Sequence, residues 1–403
     1  MSDPTVAAAE AWFEKNWDPR LPVGQWWRIL AESGWGFPNW PKGAFGLGLD
    51  AAQARLVVAA RNRLGVYGPP TGIATMMVAR LLLTSGNDAH RERWLRPIAE
   101  GRDNWCQLFS EPGAGSDLAG VRTRAVAGDG GYVINGQKVW TSGAHYAGWG
   151  ILLARTDFSA PKHQGLSFFV IDMRQSGVDV RPLRQMNGAA EFNEVFLTDA
   201  FVPDSDLIGA LGAGWATALQ TLGFERDWLE IEGSGMMLAL DLAAPAGDYA
   251  SGAKPDGRER LSIPAGQAAR DLLLQGLRAS PLRDDPYTRQ RVARLLAKIE
   301  ASQHIEAAGG AAGASIGKLA ASAITRDLAL LAQDLIGDDA LYDGAANSPL
   351  ALKLQSLLMS APGVSIAGGT DEIQKNIIAE RVLGLPSEPR IDKDVPFDAL
   401  PRG

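Results

Sequence analysis

The spacing of apolar residues changes twice along the chain, and this restricts the folds that the chain can adopt. Residues up to about 103 and those after Trp215 show helical spacing, whereas residues 104–212 form short β-prone runs, such as 166–171 and 194–197, between turn residues. This order predicts an α+β fold rather than an alternating βαβ sheet. We expect an N-terminal helical domain (residues 1–103), a middle antiparallel β-barrel or sandwich (104–212), a C-terminal helical bundle (213–385) and a tail (386–403).

Two stretches depart from this plan. Residues 243–286 are rich in Ala, Gly, Pro, Asp and Arg, which predicts an excursion with short helical pieces such as 268–277. The tail carries Pro389, Pro396 and Pro401, and we expect it to form a surface arm.

The middle region contains two segments suited to a planar, polar-edged ligand. Residues 107–117 read QLFSEPGAGSD, an apolar run that breaks into a turn of small residues, where backbone N–H groups can approach a ligand closely. Residues 136–143 read GQKVWTSG and place Trp140 beside two hydroxyl side chains. Asn135-Gly136 is a strong hairpin signal, so we expect a turn there with Trp140 on the returning strand.

Composition excludes several classes of function. The net charge is −7 and no long basic run is present, which argues against a nucleic-acid partner. Cys106 is the only cysteine and the four histidines lack ligand spacing, so we expect no disulfide and no metal site. No signal peptide or membrane span is readable, and we expect a cytoplasmic protein without a membrane partner.

The two segments of the middle region resemble, in order and spacing, the flavin-contacting segments of the acyl-CoA dehydrogenase family. The resemblance runs nearly end to end. It implies a helical domain, a β domain and a four-helix bundle, with FAD between the last two. It also implies α,β-dehydrogenation of an acyl-CoA thioester to the trans-2-enoyl-CoA, with electrons passed to an electron-transfer flavoprotein.

This reaction requires a carboxylate that removes the α-proton and donors that polarise the thioester carbonyl. In many family members the base precedes Gly-Thr near the C-terminus, but residues 367–374 read AGGTDEIQ, with Gly368 at that position. A smaller branch, which includes isovaleryl-CoA and long-chain enzymes, places the base on a helix before an arginine. Residues 222–228 read LGFERDW, and the resemblance therefore implies Glu225 as the base, with the Gly368 backbone N–H polarising the carbonyl.

The resemblance also implies the ligand contacts. Trp140 should cover the flavin ring, and Thr141 or Ser142 should meet its N5 atom. Implied contacts to the cofactor are Gln107, Phe109, Ser110, Gly115, Ser116, Trp140, Thr141, Ser142, Gln333, Gly337, Thr370 and Glu372. Implied contacts to the substrate are Ser116, Phe224, Arg226 and Gly369.

Two family features are altered in this chain. The Arg-x-x-Phe-Gly run, whose arginine reaches the FAD pyrophosphate of a neighbouring subunit, is missing. The Gln-x-x-Gly-Gly run is reduced to residues 333–337, QDLIG, where Asp334 would be unfavourable near a pyrophosphate unless it points away.

Two other functions therefore stay open: a non-catalytic or FAD-poor partner subunit of a heteromeric acyl-CoA dehydrogenase, and a flavin oxidase or monooxygenase. We expect a homodimer, a homotetramer or a heterotetramer with a related subunit. The Phe-Glu-Arg and Gly-Gly-Thr pattern resembles members that act on branched or polycyclic acyl chains, including steroid side chains.

Overall fold

The structure is a computed structural model that describes residues 3–226, 240–250, 266–308, 310–338, 349–389, 392 and 394–400. It divides into two compact units. The first contains Met1–Arg184, Ala190–Arg258 and Arg390–Gly403, and the second contains Gln185–Ala189 and Glu259–Pro389.

The first unit begins with helices whose ends follow from their capping residues. The Asp3 carboxylate accepts the Thr5 N–H at the first helix, and Gly34 ends the second in the left-handed conformation. A π-helical turn, Ala74–Val78, leads into the fourth helix. The helices are α1 (Pro4–Asn16), α2 (Val23–Ser33), α3 (Ala51–Arg63), α4 (Ala79–Ser85) and α5 (Asp88–Ala99).

Seven strands form one sheet in the order β1-β4-β2-β3-β7-β6, and β5 pairs with β4. Most pairs are antiparallel, whereas β1 runs parallel to β4, and Arg124 and Arg155 form a parallel contact between β2 and β4. The strands are β1 (Trp105–Leu108), β2 (Arg124–Gly128), β3 (Gly131–Ser142), β4 (Trp149–Arg155), β5 (Leu166–Asp172), β6 (Val178–Leu183) and β7 (Phe192–Pro203).

The hairpin predicted at Asn135-Gly136 is wrong. These residues lie inside β3, and the β2–β3 turn is Asp129-Gly130, closed by the pair Gly128 and Gly131. Asn135 instead bonds through its side chain to Asp199, one of the two β7 residues that lie opposite Asn135 in a bulge. Asp-Gly is as good a turn signal as Asn-Gly, so local sequence could not choose between them.

Strand β4 is buried on both faces, which explains its continuous apolar sequence. Ile151 and Leu153 join a core shared with α4 and α5, whereas Leu152 and Ala154 belong to a second core on the opposite face of the sheet. Helices α4 and α5 thus cover one face of the sheet at β4, and the second core lies on the other face.

Two further helices of this unit are α6 (Gly214–Arg226) and α7 (Ala246–Ala250). Helix α6 agrees with the helical spacing noted after Trp215 as far as residue 226. Residues 227–239 lie outside the described chain, and residues 240–242 are not helical. The surface arm predicted for the tail is wrong at Phe397, which is buried and stacks 3.5 Å from the Arg155 guanidinium. The attraction between the Arg155 guanidinium and the Phe397 ring offsets the conformational entropy that the tail loses when it is fixed here.

The second unit is helical. Its longest helix packs against the four others, and the apolar core that it shares with three of them includes Leu273, Leu295, Leu328 and Leu357. Its helices are α8 (Gly266–Ala279), α9 (Pro286–Ala308), α10 (Gly310–Ile336), α11 (Pro349–Val364) and α12 (Asp371–Ile377). Helix α8 confirms the helical piece predicted at 268–277.

Within the described residues, no helix is both long and apolar enough to cross a membrane. The same residues contain no cluster of side chains suited to a metal ion.

Candidate active site

The first predicted ligand segment follows β1. Phe109 is buried against Phe168, while Gln107 and Ser110 are half-buried. Backbone bonds in both directions between Glu111 and Ala114 close a tight turn. The turn leaves Gly115 and Ser116 exposed, so this edge can receive a ligand along its backbone.

The second segment ends β3. Trp140 has 60% of its surface exposed and a positive φ of 61°, and the edge of its ring contacts Phe192. Thr141 is fully buried, and among the described residues its hydroxyl has no hydrogen-bond partner. Ser142 is half-buried. Exposure therefore alternates along this end of β3, and the hydroxyl of Ser142 is more accessible than that of Thr141.

A backbone bond and a buried ion pair join the two segments. The Val139 N–H donates to the Ser110 carbonyl at 2.9 Å. The Lys138 ammonium donates to the carbonyls of Phe109 (3.0 Å) and Leu153 (2.8 Å) and to the Glu111 carboxylate (2.8 Å). Its three donors are thus all used inside the core.

The ion pair is largely shielded from water. The Lys138 side chain is completely buried and that of Glu111 is 9% exposed. Burial lowers the pKa of Lys138, and the charge of Glu111 works against that effect. Burial raises the pKa of Glu111, but Lys138 and the hydrogen bonds from residues 122 and 123 together outweigh burial, and the pKa lies below its ordinary value. Glu111 also accepts the N–H groups of Arg122 and Thr123, so it ties in a third stretch of chain.

Beside Ser142 lies a small cavity with walls from residues 70–75 and 103–105. Burial raises the pKa of Asp103 in this wall. Trp105 also lines the cavity, and its indole N–H is buried without a hydrogen-bond partner among the described residues. The cavity therefore places polar groups next to the second ligand segment.

The residues predicted around the base lie at the end of α6. Phe224 packs against the first core, and the Arg80 guanidinium lies 4.3 Å from the centre of its ring. Glu225 and Arg226 belong to the helix, but their side chains lie outside the described residues. The assignment of Glu225 as the base stays a prediction.

In the second unit, the Gly-Gly-Thr run forms the turn before α12. Gly368 and Gly369 have positive φ angles of 64° and 87°. A Cβ on Gly369 would lie 2.8 Å from the Gln374 side-chain nitrogen, whereas one on Gly368 would meet no described atom within 4 Å. The positive φ favours glycine at both positions, and the space beside Gly368 is open.

Side chains fix this turn from two directions. The Gln374 amide donates to the Gly368 carbonyl at 3.0 Å, and the Thr370 hydroxyl accepts the Ile373 N–H. Asp371 accepts hydrogen bonds from Lys318 and Ser322 of α10, both at 2.9 Å. Exposed Glu372 follows in the first turn of α12.

Gln333 and Gly337, predicted to contact cofactor, are exposed at the end of α10. Asp334 pairs with Arg291 of α9 at 2.5 Å. Arg291 thus offsets the negative charge that the sequence placed in this region.

Sequence reasoning assigned no role to Lys138, Glu111 or Lys318. The available signal was a lysine within the apolar alternation of β3, because a charge at such a position needs a buried partner.

The residues of the first unit fit a flavin. They offer an exposed indole, a glycine-lined turn and the partly exposed hydroxyl residue Ser142, which together suit a flat aromatic ligand with polar edges.

Three family models match the chain: the acyl-CoA dehydrogenase N-terminal domain over residues 3–102, the middle domain over 106–200 and the C-terminal domain over 267–383. Acyl-CoA dehydrogenase IpdE1 of Mycobacterium tuberculosis is 34% identical over 372 residues, covering 90% of this chain and 88% of IpdE1. Acyl-CoA dehydrogenase FadE34 of the same organism is 36% identical over 366 residues, which cover 89% of this chain but only 45% of FadE34.

Solved structures share the fold. The Tcur3481-Tcur3483 steroid ACAD has a TM-score of 0.68 at 23% identity, covering 95% of this chain and 97% of that one. The ChsE4-ChsE5 complex from Mycobacterium tuberculosis has a TM-score of 0.69 at 24% identity, with coverage of 96% and 99%. The chain belongs to the acyl-CoA dehydrogenase family, as its two ligand segments predicted.

Proposed function

We propose that the chain is an FAD-dependent acyl-CoA dehydrogenase that converts an acyl-CoA to the trans-2-enoyl-CoA. The observation that carries the proposal is the exposed Trp140, held in a left-handed conformation beside an open turn of small residues. Strained backbone at an exposed aromatic residue is typical of a binding site, and family membership supports a flavin as the ligand.

For the flavin, Trp140 would cover the ring and Ser142 would meet N5, because Thr141 is fully buried whereas Ser142 is partly exposed. Phe109 is buried, so it would contribute its backbone. Gln107, Ser110, Gly115 and Ser116 would line the remaining edge. Gln333, Gly337, Thr370 and Glu372 of the second unit would contact the adenosine and pyrophosphate portion.

When bound, FAD supplies the acceptor for the hydride from the β-carbon. Glu225 would take the α-proton, and the Gly368 N–H would polarise the thioester carbonyl. The Gln374 amide supports this second role, because its bond to the Gly368 carbonyl restricts rotation of the turn. Ser116, Phe224, Arg226 and Gly369 would contact the substrate.

We also propose a branched or polycyclic acyl chain as the substrate. The support is the Phe-Glu-Arg and Gly-Gly-Thr pattern, together with the fold shared with a protein described as a steroid ACAD. The electron acceptor would be an electron-transfer flavoprotein, the location the cytoplasm, and the assembly an oligomer.

A second candidate function is an FAD-poor partner subunit in a heteromeric enzyme. It is favoured by the Asp334–Arg291 pair, because Arg291 is bonded to a carboxylate and is not available to a pyrophosphate. Structures with this fold include an assembly of two different chains, ChsE4 and ChsE5.

The test is to purify the chain alone, measure bound FAD and follow flavin bleaching with a panel of acyl-CoAs. Glu225→Gln should retain FAD and slow bleaching by about 10² to 10⁴-fold, because the base is removed while the shape is kept. Glu232→Gln, the same change seven residues along the chain, is the matched control.

Bleaching by the Glu225→Gln variant at the native rate would contradict the assigned base. A colourless chain that gains FAD only with a second subunit would favour the partner-subunit function. Rapid flavin reoxidation by air would favour the oxidase or monooxygenase.

A further inference from the structure

Trp140 is one of three non-glycine residues with positive φ in the described chain, with Phe45 and Asp199. A bulky side chain in this region is strained and persists only when its surroundings force the conformation. Contacts on both sides of Trp140 must therefore hold it in this conformation.

The strain coincides with an extra residue in β3. Lys138 pairs with Val195 and Thr141 pairs with Asn193, so three steps along β3 match two along β7. One residue is therefore accommodated as a bulge between two points of fixed register. Trp140 lies within that interval, and its conformation depends on how firmly the two points are held.

The point after Trp140 is held by a buried amide. The Asn193 side chain donates to the Thr141 carbonyl at 2.9 Å, and its oxygen pairs with the His145 ring at 3.0 Å. Asn193 is fully buried. Thr141 therefore cannot move along the strand without breaking a buried hydrogen bond.

The point before Trp140 is held by the Lys138–Glu111 pair. All three donors of Lys138 are bonded inside the core, and Glu111 is bonded in turn to the backbone of residues 122 and 123. Lys138 cannot shift without leaving a buried charge unpaired, which is strongly unfavourable.

We propose that the buried Lys138–Glu111 pair, together with Asn193, forms a clamp that holds Trp140 in its left-handed conformation and presents its indole to the ligand. Lys138 and Glu111 are positioning residues, because they act on the site through Trp140 and the adjoining backbone. The ligand part of this inference rests on the proposed function, whereas the clamp itself does not.

The clamp is tested without any ligand by comparing glycine and alanine at position 140. Both substitutions remove the indole, but only glycine accepts positive φ without strain. In the otherwise native chain, Trp140→Gly should unfold at a temperature about 2 °C or more above Trp140→Ala. All 12 tryptophans lie in the first unit, so tryptophan fluorescence reports its unfolding.

The same comparison is then made after removing both charges with Lys138→Met and Glu111→Gln. We expect the advantage of glycine to fall to less than half, because residue 140 can relax once the clamp is gone. An unchanged advantage would overturn the proposal. If the double variant does not fold, Asn193→Ser breaks the other side of the clamp. In that variant the advantage of glycine over alanine at position 140 must also fall to less than half.

Asp199 is the matched control. It also has positive φ, 51°, but its conformation is associated with Asn135 rather than with the clamp. The advantage of glycine over alanine at 199 should be the same with and without the clamp. A parallel loss at position 199 would contradict a clamp specific to Trp140.

With Trp140 intact, the double variant should bind FAD at least about tenfold more weakly than the native chain. Removing the exposed Lys298–Asp327 pair by the corresponding substitutions, Lys298→Met and Asp327→Asn, should leave FAD affinity unchanged. Equal FAD affinity in the clamp variant would separate the clamp from ligand binding and overturn that part. A native chain that binds no FAD would refute the proposed function, while the glycine and alanine comparison would still decide the clamp.

Discussion

The two units each use a lysine–carboxylate pair to hold a predicted ligand segment, and the two pairs differ in burial. In the Lys138–Glu111 pair the side chains are 0% and 9% exposed, and in the Lys318–Asp371 pair they are 13% and 12% exposed. The first pair joins segments of a covered sheet, whereas the second fastens a turn to a helix near the surface. The two carboxylates are thus similarly shielded, and the pairs differ mainly at the lysine, which is partly exposed only in the second unit.

This difference determines what each pair contributes. A charge inside a covered sheet is poorly hydrated when its partner is lost. Displacement of the strands that carry Lys138 and Glu111 is therefore strongly unfavourable. A pair near solvent can be replaced by water at lower cost. We therefore expect rigid presentation of the indole in the first unit and a softer hold on the Gly-Gly turn in the second.

The largest effect is expected when one partner of the buried pair is removed. Lys138→Met leaves the Glu111 carboxylate buried without its cation and should lower the free energy of unfolding of the first unit by about 3–5 kcal/mol. Urea unfolding followed by tryptophan fluorescence measures this loss. Lys138→Met with Glu111→Gln should recover part of it, and failure to recover any would show that the charges are not the cause.

A smaller effect is expected for the second pair. Asp371→Asn keeps the shape but removes the charge that accepts from Lys318, and should cost the second unit about 1–2 kcal/mol. Circular dichroism at 222 nm during urea unfolding is the measurement, with Asp327→Asn on the exposed pair as control. A loss as large as that of Lys138→Met would erase the distinction between the two pairs.

Acid should weaken both pairs. Lys318 and Ser322 oppose the effect of burial and hold the pKa of Asp371 below its ordinary value. Lys138, together with the hydrogen bonds from residues 122 and 123, does the same for the pKa of Glu111. A carboxyl group with a lowered folded pKa stabilises above its unfolded pKa and loses that contribution as pH falls through the folded value. Stability should therefore decline below about pH 4.

Thermal unfolding between pH 7 and pH 3 measures this decline. The decline with falling pH should be shallower than in the native chain for the second unit of Asp371→Asn. It should also be shallower for the first unit of Lys138→Met with Glu111→Gln. An identical slope in either variant would show that the corresponding carboxyl group does not contribute.

The smallest effect on stability is expected at Gln374, whose amide holds one carbonyl. Gln374→Leu should cost about 1 kcal/mol, because the Gly368 carbonyl loses its donor near solvent. If the turn polarises the thioester, kcat for acyl-CoA oxidation should fall more than KM changes. A changed KM with native kcat would assign the turn to binding alone.

Several elements were predictable because their signals are local. Gly34 ends α2, and the uninterrupted apolar run of β5 marks a strand covered on both faces. The positions of Trp140 and of the Gly-Gly turn were found by motif. The hairpin turn and the burial of Phe397 could not be predicted in this way. Two equivalent turn signals lie six residues apart, and a tail residue is buried only through partners that are distant in the chain.

The sequence by itself determined the order of helical and β regions, the family and the candidate ligand segments, because periodicity and short motifs are written in neighbouring residues. Only the tertiary structure decided which hydroxyl after Trp140 is accessible, which residues hold that tryptophan in a strained conformation, and what Asp334 contacts. Each depends on register or on partners far along the chain: Lys138 meets a carboxylate 27 residues away, and Asp334 an arginine 43 residues away. Such contacts are chosen by the packing of the whole unit, which no local pattern encodes.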